Sequence, residues 1–333
     1  MNRYTQNRRR YLDIIIGEKE SGITVLQYIK KHTSISSAHL KHLKFSEGGI
    51  KANGSHVTVR YILREGDVLS LATEDRHGDS DHIEPCDLPV DIAYEDSDCV
   101  VPSKPADMPT HPSHGHYTDT VANALAFRYQ SLGTPFVFRP VNRLDRNTSG
   151  LLLIAKNRIA AGELSKAMTE GKIKKAYIAL LEGRLPESEG IIETYMRRTA
   201  ESIIVRENCS EGEGGDYALT KYRVLFEKNG YSLVAASPIT GRTHQLRVHF
   251  AGLGAPIVGD DMYGLSSPLI KRHALHSSVL SFPRVKDGES IEAVSPLPTD
   301  MQRAIEAALG EELCYRDAHQ LCSEFLLSCD EIN

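Results

Sequence analysis

The dipeptide Asn229-Gly230 is the strongest short hairpin signal in the chain. It separates two apolar, strand-like segments, residues 222–226 and 231–235. Asparagine and glycine both tolerate the positive φ that a two-residue hairpin turn requires, so the two segments are expected to pair as antiparallel strands. Apolar residues at helical spacing also occur, for example over residues 158–169. Hairpins with interspersed helices predict an α+β fold with a mixed, mainly antiparallel sheet over residues 90–298.

A smaller unit precedes this sheet. Residues 12–72 contain apolar positions typical of two short helices, followed by strand-like segments on both sides of the turn Asn53-Gly54. Residues 73–89 are rich in Asp, His, Ser and Gly, which predicts a linker. The ends of the chain are predicted to be a disordered basic tail at residues 1–11 and a C-terminal helical extension at residues 299–333.

Charge is distributed unevenly along the chain. The 333 residues have a formal net charge of −5. Residues 1–75 nevertheless carry 12 Lys and Arg against 8 Asp and Glu, whereas the remainder carries 27 against 36. A basic N-terminal module on an acidic body predicts that the module binds a polyanion, with Lys41, Lys44 and Lys51 as candidate contacts. The alternative is that these lysines form a merely solvated face.

Cysteine spacing and hydropathy indicate a cytoplasmic protein. None of the six cysteines forms a Cys-x-x-Cys pair, and scattered thiols of this kind are typical of reduced cytosolic proteins. The sequence has no recognisable signal peptide, and no segment approaches the roughly 20 apolar residues of a membrane span. No membrane partner is therefore expected. A monomer is favoured, although the sequence does not determine the oligomeric state.

Three segments carry the residues expected to do chemistry. The first, Asn142-Arg143-Leu144-Asp145-Arg146-Asn147-Thr148-Ser149-Gly150, places one carboxylate between two arginines, just before an apolar run the length of one buried strand. The second segment is residues 174–180, and the third is residues 239–249, continuing to 259–264. An ionised acid at the mouth of a sheet, with cations on both sides, fits a nucleophile better than a surface salt bridge.

All three segments resemble motifs of the large-subunit ribosomal RNA pseudouridine synthase family (RluA type) in residue type, order and approximate spacing. Shorter segments at 104–112 and 272–276 resemble further loops of that family. The resemblance implies that residues 90–298 are a pseudouridine synthase catalytic domain, an isomerase that needs no metal or organic cofactor. Residues 12–72 similarly resemble the small RNA-binding domain named after a small-subunit ribosomal protein, so RNA is the expected partner.

The resemblance also implies catalytic roles for three residues. Asp145 would act on the sugar or base while the glycosidic bond is broken, and whether it attacks the sugar or acts as a base stays open. Tyr177 would stack on the target uracil and place its hydroxyl for proton transfer. Arg247 would pair with Asp145 and favour its ionised form. Taken singly, the tyrosine could be a packing residue and the arginine an ordinary surface residue.

Further residues are expected to contact RNA. By resemblance Arg143 would fill the place of a uridine that has been flipped out of the stack, unless it only pairs with a neighbouring acid. Asn142 departs from the family, which usually has histidine at this position, and that leaves the geometry of the loop open. The other candidates for contact with RNA or substrate are Arg242, His244, Gln245, Lys104 and His111.

Two apparent metal motifs are better explained as loops. His111, His114 and His116 lack cysteine partners and helical spacing, and Asp260-Asp261 lies in a glycine-flanked turn, so no metal is expected.

Ribosomal RNA is the leading candidate for the target and transfer RNA the alternative. Two other functions remain possible: a catalytically silent RNA-binding ribosome-assembly factor, and a nucleoside or glycoside hydrolase, which would need a second carboxylate.

Overall fold

The computed structural model describes residues 11–33, 35, 37–46, 48–72, 83–310 and 318–329. Residues 1–10 of the predicted basic tail, most of the predicted linker and parts of the C-terminal extension lie outside these residues. Tyr11, the last residue of the predicted tail, is the first residue of a strand. The described residues form one four-stranded and one twelve-stranded sheet.

The four-stranded sheet belongs to the N-terminal module. The elements of this module are β1 (Tyr11–Ile15), a 3-10 turn (Glu18–Glu20), α1 (Val25–His32), α2 (Ser37–Phe45), β2 (Ile50–Ala52), β3 (Ser55–His56) and β4 (Val68–Ala72). The strand order is β1-β4-β2-β3, with antiparallel pairing throughout. Helix α1 begins at a capping box, in which Thr24 and Gln27 each bond the other's backbone N–H. The helix pair and hairpin are present as predicted, whereas β1 before the helices was not predicted.

The twelve-stranded sheet belongs to the C-terminal part of the chain. Its elements and the packed helices are β5 (Asp91–Glu95), β6 (Cys99–Lys104), α3 (Val121–Ser131), β7 (Arg139–Pro140), β8 (Ser149–Leu151), β9 (Ile154–Ala155), α4 (Arg158–Thr169), β10 (Lys174–Glu182), β11 (Glu189–Arg198), β12 (Arg206–Cys209), β13 (Asp216–Lys228), β14 (Tyr231–Pro238), α5 (Gln245–Gly252), β15 (Leu275–Pro283), β16 (Ser290–Val294), α6 (Thr299–Leu309) and α7 (Ala318–Ser328). The main path is β12-β11-β13-β14-β10-β15-β8-β6-β9-β7, with β16 on β15 and β5 on β6. Antiparallel pairing predominates and β8 pairs β15 in parallel, which confirms the predicted mixed α+β sheet.

The Asn229-Gly230 turn joins β13 and β14 as predicted. Asn229 has φ 53° and Gly230 has φ 80°, and the flanking residues Lys228 and Tyr231 are paired. Strand β14 then pairs with β10, whose residues 175–181 are all buried. The hairpin therefore places β10, the strand that carries Tyr177, in the middle of the sheet.

The C-terminal helices complete the main hydrophobic core. Cys322, Phe325 and Leu326 of α7 are buried in the same core cluster as Tyr177 and the neighbouring residues of β10. The Nζ of Lys221 also donates to the carbonyl of Cys329 at 2.9 Å. The predicted boundary at residue 298, between the catalytic domain and the C-terminal extension, therefore separates elements that share one hydrophobic core.

A close approach of two strands positions the loop that contains Asp145. Gly150 on β8 has φ 107°, and a Cβ atom there would lie 2.1 Å from the carbonyl oxygen of Ser277 on β15. Next to it, the Ser149 hydroxyl lies 2.9 Å from Nδ1 of His276. Only glycine permits this contact, and the contact fixes the C-terminal end of the loop against β15.

Candidate active site

The loop that carries Asp145 is anchored from behind by a buried lysine. Lys104 is 1% exposed, and its Nζ donates to the carbonyls of Pro105, Met108 and Arg146 at 2.8–2.9 Å. These contacts use all three ammonium hydrogens, so Lys104 supports the loop, a role that differs from the predicted contact with RNA. Burial lowers the pKa of this lysine to about 7.

Two groups on or next to α5 face the Asp145 carboxylate. Nη1 of Arg247 lies 3.6 Å from Oδ2 of Asp145, and Nε2 of His244 lies 3.8 Å from the same oxygen. The Asp145 side chain is 29% exposed, whereas that of Arg247 is 6% exposed. The predicted proximity of Arg247 to Asp145 is therefore present, with the carboxylate open to the pocket and the guanidinium behind it.

The strongest partner of Arg247 is Asp260, which the sequence suggested only as a loop residue. Its carboxylate accepts from Nε and Nη2 of Arg247, both at 2.7 Å, and is 1% exposed. Burial raises the pKa of Asp260, but the hydrogen bonds from Arg247 outweigh it and the net pKa is lowered. This bidentate pair fixes the guanidinium plane so that the remaining nitrogen points at Asp145.

Tyr177 closes the same pocket from the sheet side. It is 6% exposed and belongs to β10, between β14 and β15. Burial raises the pKa of its phenol above the usual range, with a smaller contribution from the charge of Asp145. The residues that line this catalytic pocket include Arg143, Asp145, Tyr177, Arg242, His244 and Arg247.

A wider cleft continues outward from the catalytic pocket. Arg143, Arg242 and His111 are exposed along it. Asn142 also lines the cleft, but its Oδ1 accepts from the Leu153 N–H at 2.7 Å, so part of its side chain holds the loop to the sheet. Among the predicted contact residues, the exposed Arg143 and Arg242 are best placed to bind a polyanion.

Gln245 has a framework role in the structure, in contrast to the predicted contact with RNA. It is 4% exposed; its Oε1 accepts from the Thr240 hydroxyl and the Arg242 N–H. Its Nε2 donates to the carbonyl of Leu219 and the hydroxyl of Thr220. Gln245 therefore fastens the turn before α5 to β13.

The N-terminal lysines lie outside the catalytic pocket. Lys41 and Lys44 are exposed on α2, whereas the ammonium of Lys51 lies 4.3 Å from the ring centroid of Tyr11.

Within the described parts of the chain, no group of three or more His, Cys, Asp or Glu side chains is arranged to hold a metal ion. The helices described there also include none long and apolar enough to cross a membrane.

Comparison with known proteins identifies the family. Residues 98–252 match the family model described as RNA pseudouridylate synthase. The uncharacterised RNA pseudouridine synthase YjbO of Bacillus subtilis is 38% identical over 285 residues, which cover 85% of this chain and 99% of that protein. The chain belongs to the RNA pseudouridine synthase family. It is therefore an isomerase that converts uridine to pseudouridine in RNA, as the sequence motifs predicted.

Other relatives of the synthase agree with this assignment. The ribosomal large subunit pseudouridine synthase D of Borreliella burgdorferi is 32% identical over 266 residues, covering 77% of this chain and 80% of that protein. The solved structure of human RNA pseudouridylate synthase domain containing 1 has a TM-score of 0.50 and 33% identity, covering 62% of this chain and 83% of that one. The predicted RluA-type family and fold are thus confirmed.

Tyr177→Phe removes the hydroxyl of the synthase and keeps the ring. If the hydroxyl transfers a proton, kcat is expected to fall by about 10²- to 10⁴-fold while KM for RNA changes little. Tritium release from RNA labelled at C5 of uracil measures both quantities. Tyr222→Phe is a matched control, because Tyr222 is also buried and lies on β13, where it pairs with Ala236 of β14 from the side opposite Tyr177. Equal losses in both variants would assign Tyr177 to packing alone.

Proposed function

We propose that this synthase modifies specific uridines of structured ribosomal RNA in the cytoplasm, with Asp145, Tyr177 and Arg247 as its catalytic residues. The observation that carries the proposal is the arrangement around Asp145: a half-exposed carboxylate 3.6 Å from a buried guanidinium, in one pocket with Tyr177. The ribosomal target is supported by the relatives named ribosomal large subunit pseudouridine synthase D.

The chemistry requires a group that acts on the sugar and a group that handles a proton. The bond from ribose C1′ to N1 of uracil breaks, the base turns, and C1′ bonds to C5, which then loses its hydrogen as N1 gains one. Either role of Asp145, attack at C1′ or removal of a proton from the sugar, needs an ionised carboxylate, which the charge of Arg247 favours. Tyr177 lines the same pocket, and its hydroxyl is proposed to take part in proton transfer at the base.

The substrate uridine must leave its stack to reach this pocket. Arg143 and Arg242 are exposed at the mouth, where guanidinium groups can bond phosphates or stack on bases. Arg143 lines both the pocket and the wider cleft. It is proposed to occupy the place in the RNA stack that the flipped uridine vacates. His111, which lines the wider cleft, and His244, which lines the pocket, complete the proposed contacts with substrate.

The test is tritium release from C5-labelled RNA prepared from cells that lack this gene. Ribosomal RNA and transfer RNA are assayed separately, and the modified position is mapped by primer extension after carbodiimide treatment. Release from ribosomal RNA is expected. Release from transfer RNA alone would move the target to that class, and release from neither would contradict the proposed activity.

The N-terminal module is proposed to strengthen RNA binding through Lys41 and Lys44. The double variant Lys41→Ala/Lys44→Ala is expected to bind RNA more weakly and to lower the slope of log K against log salt by about 1 to 2. Its kcat at saturating RNA should stay unchanged, because the pocket is untouched. The exposed pair Lys30 and Lys31 on α1 gives a control with the same change in charge. An equal effect from that pair would show that net charge, and not the surface of α2, is what matters.

A further inference from the structure

Tyr263 lies beside both groups that face Asp145. Its hydroxyl oxygen is 2.8 Å from Nδ1 of His244, and its ring centroid is 4.9 Å from the guanidinium carbon of Arg247. The backbone N–H of Arg206, the first residue of β12, donates to the same hydroxyl at 2.9 Å. Neither the sequence motifs nor the proposed mechanism gives this tyrosine a task.

The hydrogen bonds determine which way the phenol donates. The Arg206 N–H can only donate, so the tyrosine oxygen accepts there. The phenol has one hydrogen of its own, and Nδ1 of His244 is the acceptor that its described contacts offer. The opposite assignment, with hydrogen on Nδ1, would leave the phenol hydrogen without an acceptor among these contacts. Burial also raises the pKa of Tyr263, which keeps the donor protonated.

The direction of this bond fixes the state of the histidine. When Nδ1 accepts, a neutral imidazole carries its hydrogen on Nε2, and burial, which lowers the pKa of His244, favours the neutral ring. Nε2 is the atom 3.8 Å from Oδ2 of Asp145. The N–H therefore faces the carboxylate, whereas the other tautomer would present a lone pair to it.

The backbone of His244 shows that its position is held by its surroundings. It has φ 60° and ψ 17° immediately before α5, a left-handed conformation that is unfavourable for a residue with a Cβ atom. The hydrogen bond to Tyr263 and the edge-to-face contact of the two rings are the described interactions that hold the side chain there.

We propose that Tyr263 is a positioning residue that locks His244 in the tautomer with Nε2–H directed at Asp145, while its ring supports Arg247. The proposal rests on the proposed role of Asp145. The Nε2–H dipole at 3.8 Å and the guanidinium at 3.6 Å from the same oxygen favour one orientation of the carboxylate by electrostatic attraction. The Arg206 N–H that holds the Tyr263 hydroxyl belongs to the backbone of β12. This strand therefore helps to orient Tyr263 independently of its own side chains.

Two measurements on Tyr263→Phe test the proposal. The variant keeps the ring against Arg247, so it should fold, and its kcat for tritium release is expected to fall about tenfold with KM for RNA unchanged. In ¹⁵N-histidine-labelled protein, long-range ¹H–¹⁵N spectra should show the His244 hydrogen on Nε2 in the wild type and a mixture of tautomers in the variant. The resonances of His244 are identified by their loss in His244→Gln.

The His244→Gln background supplies the matched control. Glutamine keeps an amide donor near the position of Nε2 but has no tautomers, so adding Tyr263→Phe should cost little further activity. A tenfold loss in that background as well, or a hydrogen on Nδ1 in the wild type, would overturn the proposal. A wild-type enzyme that releases no tritium would instead contradict the proposed function, while the tautomer measurement would still stand.

Discussion

Asp145→Asn is expected to lower tritium release by at least about 10³-fold, the scale seen when a reacting group is removed from an enzyme. Asparagine keeps the size and hydrogen bonding of the side chain but cannot attack C1′ or accept a proton from the sugar. The single-turnover rate with saturating RNA is the quantity to measure, because it excludes effects on product release.

The same variant should remain folded with nearly wild-type stability. Arg247 keeps both hydrogen bonds to Asp260, so the substitution leaves no buried guanidinium without a counter-charge. The free energy of unfolding should change by less than about 1 kcal/mol. Asp107→Asn is a suitable control, because Asp107 is an exposed neighbouring acid that pairs with Arg146. If Asp145→Asn kept a tenth or more of the activity, the carboxylate would not be the reacting group.

Asp260→Asn is expected to have the largest effect on stability. It removes the charge of the bidentate partner of Arg247 and leaves the partly exposed Asp145, 3.6 Å away, as the counter-charge of the buried guanidinium. Loss of one member of such a buried pair typically costs about 3 to 5 kcal/mol. Urea unfolding followed by circular dichroism measures this cost. Asp300→Asn provides the comparison: Asp300 also binds a buried arginine, Arg272, but its side chain is 47% exposed, so solvent screens the loss. If Asp260→Asn lowered the free energy of unfolding by less than about 1 kcal/mol, Asp260 would not be an important counter-charge of the buried Arg247.

The stability of the wild type should also depend on pH through Asp260. Its folded-state pKa is lowered, because the hydrogen bonds from Arg247 outweigh burial. The unfolded state therefore binds the proton more readily, and the stabilisation present above about pH 4 is lost as the pH falls through the folded pKa. Asp260→Asn should flatten this part of the stability profile.

Local patterns predicted the fold well wherever a few adjacent residues determine the structure. The Asn229-Gly230 turn sets the pairing of β13 and β14 by backbone preference alone, and the signal lies within two residues. The residues of the catalytic pocket could be grouped because they belong to contiguous motifs. The packing of α7 on β10 could not be predicted, because an apolar helix face does not specify which surface it will cover.

The roles of buried polar residues were the hardest to predict. Lys104 and Gln245 were expected to contact RNA because they lie in segments that resemble motifs of the family, and here tertiary contacts bury both. Asp260 was interpreted as a residue of a glycine-flanked loop. Its bond to Arg247 depends on how the turn after α5 folds back, which the spacing of residues in the sequence does not reveal. Tyr263 lies within the third motif, in residues 259–264, and that position was the sign in the sequence that it could have a function.

The pocket is assembled from parts of the chain that are synthesised far apart in time. Thr148, near Asp145, bonds His273 across 125 residues, and Cys322 of α7 contacts the carbonyl of Tyr177 across 145 residues. A nascent chain in which Asp145 and Tyr177 have just emerged from the ribosome still lacks Arg247, β15 and α7, the helix that packs on β10. Such a topology folds late and slowly. The enzyme therefore completes its pocket only after β15 and α7 have been synthesised, and a nascent chain that is interrupted before them has no complete site.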